Sequence, residues 1–180
     1  MKLLRSLLVA GAAIALLSGC GNNNGNAADK LSAPAGQTDA VTSASVVNQA
    51  DAFTKAVSAE GNWIVAILND LTVDQEVLVA GEFHDKGAAE NAIYRKLALY
   101  AQDADHKITA TYTLTAPKVT VQSENFRVQG GTIKGDVYVE AKGFNLYKDA
   151  TIDGNLYFAS EDLKTSAAID GKVTGATEVK

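Results

Sequence analysis

The chain has 180 residues, 47% of them hydrophobic, with 16 basic and 21 acidic side chains and a formal charge of −5. That length holds one domain plus a leader. The acidic balance excludes nucleic acid as a partner, since phosphate binding needs dense Lys and Arg, and the single cysteine, Cys20, excludes an internal disulfide.

The first twenty residues read MKLLRSLLVAGAAIALLSGC. Lys2 and Arg5 form a positive start, and Leu7 to Leu17 form an apolar run too short for a stable membrane span. Residues 1–19 are therefore expected to be a secretory signal peptide. Leu17-Ser18-Gly19-Cys20 resembles the lipobox of bacterial lipoproteins. The resemblance implies a diacylglycerol on the Cys20 thiol, cleavage just before it, and an extracytoplasmic protein held on a membrane of the cell envelope. Acyl chains bind bilayers at about 0.8 kcal/mol per buried methylene, so two or three anchor far better than one. No other cofactor is expected.

Residues 20–46 are expected to be the lipidated cysteine and a flexible tether, because the stretch after Cys20 is rich in Gly, Asn, Ala and Ser and has no period. Residues 47–180 are expected to form a single domain. It opens with a helix over 47–60: Asn48 is the expected N-cap, Phe53, Ala56 and Val57 share a face, and Gly61 is the expected stop. The period then falls from 3.6 to 2. Trp63–Ile67, Leu71–Val73 and Val77–Val79 read as short strands with Asn-Asp and Asp-Gln turns between them. Residues 84–96 interrupt the pattern and read as an insertion. Strand-like text resumes at Leu97–Tyr100 and at Ile108–Leu114.

From residue 117 the chain aligns with itself. Val119 and Val121 match Val137 and Val139 eighteen residues on, and Phe126 and Val128 match Phe144 and Leu146. Leu156 and Phe158 follow after nineteen. Ile133, Ile152 and Ile169 form a further track, with Leu163 in the place of Phe144 and Val173 in that of Leu156. A fixed period of this size predicts a solenoid. Eighteen residues suit three short strands and three corners, each layer stacking on the next at about 4.8 Å. Gly135, Gly154 and Gly171 are the expected corners. The predicted fold is all-β: a right-handed parallel β-helix, three-sided, with coils of about 18 residues and an N-terminal capping helix. An antiparallel meander is the rival, because Asp153-Gly154 and Asp170-Gly171 are also favoured hairpin dipeptides.

The segments Ile133-Lys-Gly-Asp-Val137, Ile152-Asp-Gly-Asn-Leu156 and Ile169-Asp-Gly-Lys-Val173 resemble the bactofilin family over residues 117–175. Bactofilins are polymer-forming bacterial cytoskeletal proteins, so the resemblance implies a short right-handed β-helix and self-association. The export leader and the long N-terminal region depart from that family.

Chemistry is thin. No catalytic residue set is assigned, because no GxSxG, P-loop or HExxH motif occurs. Whether the chain is an enzyme stays open. Glu82 and His84 with Asp85, and Asp103 and His106 with Asp105, are weak candidates for metal ligands, with solvated loop charge as the bland alternative. Thr120, Tyr138, Tyr157 and Thr174 are expected on one outward column, a candidate ligand face or simply cross-strand stabilisation. The expected function is that of a membrane-anchored envelope lipoprotein with a non-catalytic structural or binding β-helix, with itself or a cell-wall glycan as partner. The alternative is a carbohydrate-binding or carbohydrate-cleaving surface protein.

Overall fold

A computed structural model describes residues 45–180. The expected signal peptide, Cys20 and the expected tether up to residue 44 lie outside the described residues. Strand β1 (Ser45–Val46), at the end of the stretch expected to be tether, pairs with Val65 and Ala66.

Helix α1 (Ala50–Val57) buries Phe53, Ala56 and Val57, as its spacing predicts. Its N-cap is Gln49, with no side-chain cap, and not Asn48. The Asn48 carboxamide instead accepts a bond from the Leu68 amide at 2.9 Å, tying the helix entry to the loop after the next strand. Strands β2 (Ile64–Ala66), β3 (Leu71–Thr72) and β4 (Val77–Val79) follow. A 3-10 turn at Asp85–Gly87 lies in the insertion, whose last two residues already belong to strand β5 (Arg95–Ala98). A second excursion, the hairpin β6 (Tyr100–Gln102) and β7 (Ile108–Thr111), precedes β8 (Thr113–Val121). After β9 (Phe126–Gln129) and β10 (Thr132–Val139) come β11 (Asn145–Leu146), β12 (Thr151–Asp153) and β13 (Leu156–Phe158). Helix α2 (Glu161–Ser166) separates these from β14 (Ala168–Ile169), β15 (Lys172–Val173) and β16 (Thr177–Val179).

The fold is all-β with parallel sheets. One sheet runs β1-β2-β5-β9-β11-β14, and a second joins β3, β4, β8, β10, β12, β13, β15 and β16. Among the named strands only the β6–β7 hairpin pairs antiparallel, which rules out the meander.

Register makes the core. Val77, Val119, Val137 and Leu156 stand one above another, as do Val79, Val121, Val139 and Phe158, all of them inward and buried. Leu114, Ile133 and Ile152 form a third column, and Val65, Leu97, Val128 and Leu146 a fourth. Alternation sends every second residue inward, and each buried aliphatic contributes roughly 1.5–3 kcal/mol. The strand β10 turns a corner at Gly135, whose φ of 138° suits glycine, where the register against β8 shifts.

The last rung departs from the expected repeat. Leu146 pairs with Ile169, Ile152 with Val173, and Leu156 with Thr177. Those offsets are longer than the 18 or 19 residues of the preceding rungs because α2 occupies the corner. Ile169 therefore continues the Leu146 column, not the Ile152 column. Val173 takes the place of Ile152's successor, and Leu163 lies on α2 against the rim of the core. Gly171 is displaced with them: it packs against the Ala150 and Tyr147 carbonyls, while Gly175 abuts Gly154.

Candidate functional site

Three places gather chemistry-bearing side chains. The first is the outward column of the second sheet. Register places Leu78, Thr120, Tyr138, Tyr157 and Glu178 side by side on β4, β8, β10, β13 and β16. Thr174 is not among them, because the shift of the last rung puts Glu178 there. Its hydroxyl instead donates to the Asp153 carboxylate at 3.0 Å and accepts from the Gly154 amide. The Tyr138 and Tyr157 ring centroids lie 4.8 Å apart, tilted by 44°. Neither ring is a bare platform. The Lys118 ammonium sits 4.7 Å above Tyr138 and the Lys180 ammonium 3.5 Å above Tyr157. Tyr157 is only 8% exposed. Thr120 is also buried, and its hydroxyl donates to Glu76 at 2.6 Å. That bond, with Lys118 3.0 Å away, holds the Glu76 carboxyl below its usual range and raises Lys118 in turn. A shallow cleft of about 180 Å³ remains between Tyr138, Glu140, Tyr157 and Lys180. These polar groups largely satisfy one another, so the column reads first as sheet stabilisation.

The two histidine turns come next, each by itself. His84 forms a β-bridge with Ile93, its Nδ1 lies 2.7 Å from the Asn91 carbonyl, and its Nε2 lies 3.3 Å from Glu82. The bond to Asn91 raises its pKa above the ordinary value. His106 sits at positive φ in the tip of the β6–β7 hairpin, where the Asp103 carboxylate accepts from the Asp105 and Lys107 amides. Asp103 thus braces a turn. Among the described residues no group of three or more His, Cys, Asp or Glu side chains comes together around a metal-sized site. The candidates Glu82, His84, Asp103 and His106 are not assembled into one.

The third place was missed by reasoning along the sequence. Arg95, at the end of the insertion, is 1% exposed and points inward at the position that Phe126 occupies on the next strand. Its guanidinium donates to the carbonyls of Ala56, Ser58, Asn62 and Ala80 and to the Ser123 hydroxyl. It also lies 4.1 Å from the centre of the Phe83 ring. Burial pushes its pKa down to about 10, which leaves it charged at neutral pH. The role is architectural: a cation closes the C-terminal end of α1, whose last carbonyls carry partial negative charge.

Next to it in sequence, Lys96 faces outward. It is in register with Arg127, and Arg127 with Asn145, on β5, β9 and β11. The Lys96 ammonium donates to the Tyr100 hydroxyl at 2.8 Å. The Arg127 guanidinium lies 5.7 Å from the Tyr94 ring and 5.1 Å from the Tyr147 ring, and its Nε donates to Asn145 at 2.8 Å. Trp63 packs beside Tyr94 with centroids 6.2 Å apart. Burial lowers the Lys96 pKa, and the neighbouring Arg127 charge lowers it further.

No family model, curated protein or solved structure matches this chain.

Proposed function

We propose that this chain is an envelope lipoprotein, anchored through a diacylglycerol on Cys20, that displays a right-handed three-sided parallel β-helix as a rigid non-catalytic rod. We further propose that the outer edge of its last rung pairs with a second copy. The lipobox-like Leu17-Ser18-Gly19-Cys20 supports the anchor. The columns of in-register residues support the β-helix, and the strong chiral preference of parallel crossovers supports its hand.

One observation carries the pairing. Among the described residues no strand lies beyond β14, β15 and β16, and their outer backbone groups have no ladder partner. Ile169, the last member of a column otherwise buried, is 37% exposed, and Val173 and Val179 are only partly covered. The opposite end differs, because α1 lies over it and buries Phe53 and Val57. Among the described residues one end is covered and the other is not, which favours a closed head-to-head pair over a growing fibre. Asp170 and Lys172, and Glu178 and Lys180, alternate in sign along the edge, which suits a surface that meets itself.

Two experiments test the reading. Cys20→Ser should move the protein from the membrane fraction to the soluble envelope fraction; a membrane-bound Cys20→Ser protein refutes the anchor. In that background Lys172→Cys should form a disulfide-linked dimer on mild oxidation, while Lys55→Cys on α1 should not. Equal yields from both positions refute end-to-end pairing.

A further inference from the structure

Among the described residues two neighbouring cations on one wall, Lys96 and Arg127, form no ion pair. Lys96 and Arg127 are register partners on adjacent strands, separated by the inter-strand spacing of about 4.8 Å. Like charges directly opposite in a sheet repel. The described residues hold two ion pairs, His84 with Glu82 and Lys118 with Glu76, and neither involves this pair. Asp149 offers some relief, since its charge favours protonated Lys96. Its carboxylate is nevertheless turned to the Gly130 amide, 2.9 Å away. On the other wall of the molecule, by contrast, Lys118 is matched by Glu76 at 3.0 Å. A sheet that neutralises one lysine and places another beside an arginine has a surface shaped for an anion from outside.

The surroundings narrow the anion. Both cations are half-buried and edged with rings: Tyr100 holds Lys96, while Tyr94 and Tyr147 flank Arg127. Tyr94 and Tyr147 are themselves partly exposed and, with Arg127 against both rings, add apolar surface beside the cations. The guanidinium has its Nε committed to Asn145, which fixes its plane beside Tyr94 and Tyr147. Phenol and guanidinium planes around a cation pair suit a pyranose that carries a carboxylate.

We propose that Lys96 and Arg127 bind the carboxylate of an acidic saccharide, with Tyr94 and Tyr147 against its sugar ring. This site is separate from the last rung and does not depend on pairing or on the lipid. The burial that lowers the Lys96 pKa strengthens its attraction for an entering anion, which in turn restores its proton affinity.

Calorimetric titration of the full chain tests this, with short oligomers of galacturonate, glucuronate and guluronate as acidic probes. The corresponding methyl esters remove the charge and keep the ring, and sodium sulfate keeps a charge and removes the ring. At least one acidic oligomer should bind, with its ester and sulfate at least tenfold weaker. Arg127→Gln and Lys96→Gln should each weaken binding at least tenfold. Their thermal midpoints without ligand should stay at or above that of the unmodified chain, because each relieves repulsion. Lowered midpoints in both variants would mark the pair as structural and overturn the proposal. Failure of all three acids to bind overturns it too, as does an ester or sulfate that binds as tightly as the acid.

Discussion

Arg95 and Ala56 are joined across 39 residues of sequence: the Arg95 Nη2 donates to the Ala56 carbonyl at 3.0 Å, at the C-terminal end of α1. The same guanidinium reaches three other carbonyls and Ser123, so one side chain fastens the covering helix to the first rungs of the stack. Arg95→Ala would strand several buried acceptors and remove a large side chain. The expected loss of stability is on the order of 3–5 kcal/mol, measured by urea unfolding. Arg95→Lys keeps the charge but not the planar fork, and should recover only part of that loss. A loss below about 1 kcal/mol for Arg95→Ala would remove the clamp from the explanation.

The corner at Gly135 provides a contrast of two glycines. A Cβ there would stand 1.8 Å from the Ala116 carbonyl oxygen at a φ of 138°. At Gly87, in the insertion, φ is 70° and nothing lies within 4 Å of the added carbon. Gly87→Ala should cost about 1 kcal/mol, the ordinary penalty for positive φ. Gly135→Ala should cost roughly 3 kcal/mol or more, since strain and overlap add. Equal thermal midpoints for the two variants would contradict the corner's tight stacking.

Helix α2 starts at Ser160, whose hydroxyl accepts from the Leu163 amide at 3.3 Å, with Glu161 and Asp162 in the first turn. Ser160→Ala should destabilise by about 1 kcal/mol. Because α2 sets where the last rung begins, amide exchange at Ala168 and Lys172, which bond to Phe144 and Ala150, should quicken in the variant. Unchanged protection there would mean that the last rung holds its register without the helix.

His84 adds a pH dependence. Its folded pKa lies above the unfolded value near 6.5, chiefly because its ring bonds to the Asn91 carbonyl. The stabilisation is therefore full below the unfolded value and is lost as pH rises through the folded one. Amide exchange of Asp85 and Tyr94, which bond to Ala92 and Phe83, should speed up beyond the change in chemical exchange as the imidazole loses its proton. His84→Gln should flatten that profile; a profile that stays the same in the variant would exclude His84 as its source.

The stacked core was legible from residue 117 onward because its inward columns there repeat aliphatic residues at offsets of 18 or 19, whereas the insertion and the hairpin stretch the earlier offsets. Val119, Val137 and Leu156 announce their own layering. The period failed at the last rung. Ile169-Asp-Gly-Lys-Val173 copies the corner motif so well that it drew the alignment, yet Ser160 with two acids after it was a legible helix start that adds residues to the loop. Thr174 left the tyrosine column for the same reason. The functional walls were harder. Lys96 and Arg127 lie 31 residues apart, across a hairpin whose length hides the register, and only the folded pairing sets them side by side. Arg95 lies in the stretch that reads as an insertion, and nothing in its local sequence shows that five acceptors converge on it. The histidine turns were visible as clusters, but the sequence does not record that Asp103 is already bonded to backbone amides.

The most direct measurement is sedimentation of the Cys20→Ser chain over a wide concentration range, beside the same chain carrying Val173→Lys. Val173 continues the inward Ile152 column at the last rung and is only partly covered, so a lysine there would bring charge into the proposed contact. The expected result is a concentration-dependent dimer that stops at two, with Val173→Lys a monomer throughout. A monomer at every concentration in both chains, or a dimer indifferent to Val173→Lys, would contradict pairing through the last rung.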